Sequence, residues 1–299
     1  MPASSMSTLG SLEAARPAGK RPYWRSRDGL LILPTLAFFV AIYLYPLSRL
    51  VVWSLFDPGF TLEHYRQLLV EGAYFTALSN TLEISFWVTA IALLLGYPLA
   101  YLMVTSSPRV RGLLMACVLV PFWTSILVRT FAWIVILGRN GMINQTLMGL
   151  GVVEQPVQLV HNMLGVQIGM VHVLLPFMVF PLYGVMTRID PTLVRAARSL
   201  GATPGRAFLR IFLPLSLPGV TAGCVLVFLL AVGFYITPAL LGGPGEITLA
   251  TLIEMMISDL LNWGFGATLS VLLLAVVGIL FVLFSSLMGL DRLTGAGGG

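Results

Sequence analysis

Six long apolar stretches, separated by short polar segments, organise this sequence. They lie at about 30–56, 78–104, 113–137, 163–187, 215–241 and 265–289. Each exceeds the roughly 20 residues that a helix needs to cross about 30 Å of hydrocarbon. Within lipid, the other structure that pairs all its backbone groups is a closed barrel. Barrel strands would alternate apolar and polar positions over short segments, and these stretches do not. The pattern therefore predicts an all-α polytopic membrane protein with six transmembrane helices. Residues 1–29 are polar and rich in Ala, Pro, Ser and Arg, which predicts a disordered tail. The stretch that follows is too long for a signal peptide and has no clear cleavage site. A transmembrane domain over 30–290 and a flexible tail over 291–299 complete the expected organisation. Two segments between spans carry structure of their own. Residues 141–151 read as a short surface helix, and 246–263 as a mildly amphipathic segment dipping back toward the bilayer.

Composition supports this picture. Of the 299 residues, 58% are hydrophobic and 10% charged. Soluble domains carry about 25% charged residues. Too few charges remain to clothe a soluble protein, which excludes a soluble enzyme, a nucleic-acid binder and a disordered scaffold. Lysine and arginine are unevenly placed: thirteen of the seventeen fall in 1–29, 105–112, 188–212 and the C-terminal tail. The positive-inside rule puts these segments, and both termini, in the cytoplasm. Cys117 and Cys224 lie in apolar runs and read as packing residues. Gly165/Gly169 and Gly219/Gly223 have the small-xxx-small spacing of closely packed membrane helices.

No catalytic constellation is present. The one lysine is Lys20, so there is no phosphate-binding Gly-Lys-Ser/Thr loop. His64, His161 and His172 lack metal-ligand spacing. An intramembrane enzyme would need a catalytic pair at membrane depth, and His172 has no evident serine partner. A secondary transporter would show internal repeats, paired intramembrane charges or discontinuous helices. Arg129 is the one charge well inside a span.

Residues 190–214 form the longest cytoplasmic loop and carry two helix signals. Asp190 suits an N-cap and Pro191 the first helical position. Leu193, Ala196, Ala197 and Leu200 make one apolar stripe. Gly201 stands where a helix end takes a left-handed residue. Thr203 and Pro204 open a second short helix, with Ala207, Phe208, Ile211 and Phe212 on one face, which Pro214 ends. Small apolar residues on a well-capped loop suit docking into a partner's groove.

This loop resembles the coupling loop of binding-protein-dependent ABC importer permeases, with Ala196, Ala197, Gly201, Ile211, Leu213 and Pro214 at the family spacing. Arg195 departs from it, standing where the family usually has glutamate. The resemblance extends over about 30–290 and is closest to the spermidine/putrescine permease branch. Leu95–Ala100 (LGYPLA), Val120–Thr124 (VPFWT) with Arg129, Leu175–Met178 (LPFM) and Ile236–Gly243 (ITPALLGG) carry it. It implies the type I importer permease fold and a non-enzymatic subunit in the bacterial inner membrane. Its implied partners are a second homologous permease, an ATPase dimer and a periplasmic substrate-binding protein. ATP and magnesium would sit on the ATPase, with no cofactor on this chain. Arg195, Ala196, Ala197, Leu200, Gly201, Ala202, Ile211, Leu213 and Pro214 would form the ATPase-coupling loop. A polyamine is a cation, so its pathway calls for carboxylates and aromatic faces. Glu83, Glu254 and Asp259 are the available acids, and Trp123, Trp133, Tyr235 and Trp263 the available rings, with Arg129 at membrane depth. Many relatives place an acid after Gly233, where this chain has Phe234. Opines, amino-acid-like solutes, thiamine and iron, carried by related branches, therefore stay open.

Overall fold

The computed structural model describes residues 27–57 and 59–287. The expected tails, 1–29 and 291–299, lie outside them apart from residues 27–29, which open the first helix. The chain divides into two compact units at Arg49 and Leu50. The first holds α1 (Arg27–Phe39) and a π turn (Val40–Leu44), which leads into α2 (Tyr45–Leu55).

In the second unit, α3 (Glu63–Val70) precedes α4 (Gly72–Thr105), α5 (Pro108–Phe122), α6 (Ile126–Leu137), α7 (Met142–Gly149) and α8 (Met163–Met186). The short pair α9 (Pro191–Ser199) and α10 (Pro204–Ala207) leads into α11 (Leu213–Val232). Then come α12 (Ile236–Leu241), α13 (Leu249–Glu254) and α14 (Trp263–Leu287). No strand occurs among the described residues, and six helical stretches there are long and apolar enough to cross a membrane.

Helices α4, α8 and α11 pack pairwise into the core. α4 buries one face through Ala77, Thr81, Ile84, Ser85, Val88, Thr89 and Ala92. Its hydroxyls would be costly there without partners. Each donates one turn back: Thr81 to Ala77 O, Ser85 to Thr81 O and Thr89 to Ser85 O, all at 2.7 Å. Met178 of α8 fills the space between the other two helices. A Cβ on Gly96 would meet its Cγ at 2.9 Å, and one on Gly223 its Sδ at 2.7 Å. Gly219 lies against Pro181 and Leu182 of α8 in the same way. These glycines let backbones approach, so dispersion contacts hold helices that gain nothing from leaving an equally apolar lipid.

The expected span at 113–137 is two helices. α5 ends at Phe122 and α6 begins at Ile126. Pro121 has no N–H for the carbonyl one turn earlier, and its ring crowds that carbonyl. The chain turns instead: Trp123 N–H donates to Val120 O, and the Thr124 hydroxyl to Pro121 O at 2.7 Å. The expected span at 215–241 is likewise interrupted, between Val232 and Ile236. Pro214 corrects a third expectation. It does not end the second short helix but sits in the first turn of α11. The π turn at Phe208–Phe212 feeds straight into α11, with Leu213 N–H bonded to Phe208 O. Its wider register accommodates the proline ring.

Polar side chains fix the connections. Asn144, fully buried, donates to Gly138 O and Val157 O and accepts from Val157 N–H at 2.8 Å. Asn80 of α4 donates to Gly245 O and Ile247 O, and Thr81 accepts from Leu249 N–H at 2.8 Å. Together they anchor the start of α13 to α4.

Candidate functional site

The loop at 190–214 builds itself from local capping. Asp190 accepts from Thr192 N–H at 2.8 Å. Hydrogen bonding from the Thr192 side chain, then its N–H, holds the Asp190 carboxyl below its ordinary range. α9 ends in a Schellman motif: Gly201 N–H bonds to Arg198 O and Ala202 N–H to Ala197 O, both at 3.0 Å. Gly201 takes φ +89° at this reversal. Thr203 caps α10 by accepting from Arg206 N–H.

The loop surface is apolar at its tip and basic around it. Leu200 is 89% exposed. Ala196 is exposed, Ala197 and Ala202 half-buried. A shallow pocket of about 260 Å³ is lined by Ala197, Leu200, Gly201, Ala202, Arg206 and Ile211, among others. Leu213 is half-buried and Pro214 exposed at the start of α11, and Arg195 points to the exposed side.

Beneath this tip lies an aromatic cluster that sequence reasoning missed. Phe208 and Phe212 stack at 5.8 Å. Tyr101 of α4 meets both edge-on, at 5.5 and 5.1 Å, and Tyr97 meets Phe208 at 6.2 Å. The Tyr97 hydroxyl pairs with Ser216 Oγ at 2.9 Å. The only sequence signal was Phe208 and Phe212 on one face; the tyrosines lie more than 100 residues earlier. Tyr101→Ala removes two ring pairs, together worth about 1–3 kcal/mol. Trypsin cleavage after Arg210, inside the π turn, should then accelerate about fivefold or more, while Tyr101→Phe leaves it unchanged.

The pathway candidates form two groups and three separate residues. Tyr235 comes together with Glu254 and Asp259: its hydroxyl interacts with the Glu254 carboxylate, and both acids bear on it by charge. Arg129 and Trp133, one turn apart on α6, flank His172 of α8. The Trp133 indole N–H donates to His172 Nδ1 at 3.0 Å, which puts the imidazole proton on Nε2. The Arg129 charge acts on the same ring. Glu83 is exposed on the outer face of α4 beside Phe86 and Trp87. Trp123, 83% exposed, caps the break between α5 and α6. Trp263 meets Trp53 edge-on at 6.0 Å.

Both helix breaks border one cavity of about 410 Å³. Thr124, Ser125 and Arg129 line it from the first break and Phe234 from the second. Discontinuous spans were expected of a secondary transporter, so the fold by itself does not separate the two classes.

Sequence comparison does. Residues 92–292 match the model of the family described as binding-protein-dependent transport system inner membrane component. The chain belongs to this family. It is 37% identical over 225 residues to the spermidine/putrescine transport system permease protein PotB of Escherichia coli, covering 75% of this chain and 82% of that protein. The Haemophilus influenzae protein of the same name is 38% identical over 226 residues, covering 75% and 78%. The fold agrees. A chain of a bacterial alginate ABC transporter, solved with its alginate-bound periplasmic protein, superposes with TM-score 0.74 at 21% identity, covering 92% of this chain and 99% of that one. This permease is thus a multi-pass inner-membrane component of a transport system, with a helical ABC-permease fold.

Proposed function

We propose that this permease forms half of the pathway of an ATP-driven importer and moves a small organic amine, with polyamines as its first candidates. The exposed apolar tip at Leu200, on a loop closed by the Schellman turn at Gly201, carries this reading. Such a tip costs free energy in water and gains it in a partner's groove. The partners in this scheme are an ATPase dimer beneath the loop, a second homologous permease and a periplasmic binding protein that delivers the solute. ATP and magnesium belong to the ATPase, and this chain performs no hydrolysis. Arginines crowd the loop and the N-terminal segment, which supports a cytoplasmic side for both termini.

In this mechanism, closure of the ATPase dimer displaces the docked tip. Phe208 and Phe212 transmit the displacement to Tyr97 and Tyr101 of α4, and α11 moves with the π turn that feeds it. The packed core then shifts between two discrete arrangements, because close-packed interiors do not deform continuously. Docking rests on the small apolar face, and Arg195 stays in solvent. The polyamine assignment rests on the names of the PotB relatives, with Tyr235, Glu254 and Asp259 as groups able to receive an ammonium.

Co-reconstitution into proteoliposomes tests the whole. The assembled importer should take up spermidine or putrescine only with ATP inside, and the isolated chain should hydrolyse none. Uptake without the ATPase, or hydrolysis by the isolated chain, would overturn the reading.

A further inference from the structure

The cavity between the helix breaks contains a buried cation. Arg129 is 8% exposed, and its Nε and Nη1 are buried without a hydrogen-bond partner among the described residues. A guanidinium in this position is costly unless an anion joins it. Among the described residues no carboxylate lines the cavity; its walls include Thr124, Ser125, Phe177, Leu230 and Phe234, with other apolar residues. The α6 N-terminus opens on the same space. Ser125 is its N-cap and makes no side-chain cap bond, so its hydroxyl satisfies none of the first-turn amides. A helix N-terminus and a buried arginine attract the same sign of charge. Roughly 300–1,000 Å³ is the size of small-molecule pockets, and this cavity falls within it at about 410 Å³.

We propose that this cavity is a subsite for an anionic group of the solute, a carboxylate or phosphonate, held by Arg129 and the start of α6. The inference rests on the importer reading above and narrows its substrate class. Phe234 lines this cavity, and the next residue, Tyr235, interacts with the Glu254 carboxylate and lies within the electrostatic reach of Asp259. One helix break thus has an anion-seeking side and a cation-seeking side. A small solute bearing both an amine and an acid satisfies both; putrescine satisfies only the second.

Ornithine is putrescine with one added carboxylate, so the two probes isolate the proposed contact. Calorimetric binding is measured on the importer assembled with its second permease and ATPase, without binding protein. Dodecyl maltoside supplies no phosphate headgroup. Ornithine should bind about tenfold or more tightly than putrescine, the size of effect that charged hydrogen bonds give. Arg129→Gln should abolish the difference. Phe234→Asp should abolish it too, by placing an acid on the same wall, and covers the case in which the first variant fails to assemble. Equal binding of the probes, no binding of ornithine, or a preference surviving in an assembled variant overturns the subsite. Displacement of ornithine by phosphatidylglycerol would assign the arginine to a lipid phosphate and overturn it as well. ATP-driven uptake by the same complex without an ornithine preference refutes the subsite alone. Absence of ATP-driven uptake of any solute refutes the importer reading.

Discussion

Gly201→Val should abolish ATP-driven uptake while the chain still inserts and folds its core. The added Cβ meets nothing within 4 Å, so crowding is not the cause. The cause is the backbone. At φ +89° a β-branched side chain collides with its own peptide, at a cost on the order of 1–2 kcal/mol or more. The loop relieves that strain by giving up the Schellman bonds of Gly201 and Ala202, which aim α10 relative to α9. The tip then presents Leu200 at the wrong angle. A control separates strain from bulk: asparagine tolerates left-handed backbone, so Gly201→Asn should retain much of the uptake. Equal loss in both variants, or none in valine, would contradict the turn's role. Uptake is read in proteoliposomes, and insertion by the yield of monodisperse detergent-solubilised protein.

Leu200→Asp should have the second large effect, by a different route. At 89% exposure the side chain adds almost nothing to the chain's own fold, so stability should change by less than about 0.5 kcal/mol. In the proposed assembly the same leucine enters the ATPase groove, where burial contributes about 1.5–3 kcal/mol. Aspartate forfeits that and adds the cost of desolvating a carboxylate. At about 1.4 kcal/mol per tenfold, ATPase affinity should fall roughly 10- to 100-fold or more. Leu200→Met, of similar volume, should bind normally. Co-purification and titration of the ATPase against the permease read the result. An unchanged affinity for the aspartate variant would remove Leu200 from the docking surface.

The features legible in the sequence are those that near neighbours determine. Apolar runs longer than a bilayer is thick had to be membrane helices, because lipid leaves no other way to pair their backbone groups. Asp190, Pro191, Gly201 and Thr203 set the ends of the loop helices through bonds to atoms within five residues, so their spacing alone described the turn. Gly219 and Gly223 indicated close packing because only a missing Cβ permits it, though not that Met178 would be the partner. The tertiary structure decided the rest. α8 and α11 are apolar at most positions all round, since lipid and helix neighbours make the same demand, so no periodicity tells which face is buried. Nothing local joins Tyr101 to Phe212, Trp133 to His172, or Thr81 to Leu249. Pro121 marked a possible break, but other prolines, such as Pro98 and Pro176, sit inside continuous helices. Neighbouring helices determine whether a proline kinks a span or parts it. Arg129 was visible as a charge at membrane depth. That it lies beside a helix N-terminus, in a cavity lined by Phe234 and, among the described residues, by no acid, follows from two breaks more than 100 residues apart meeting at one cavity.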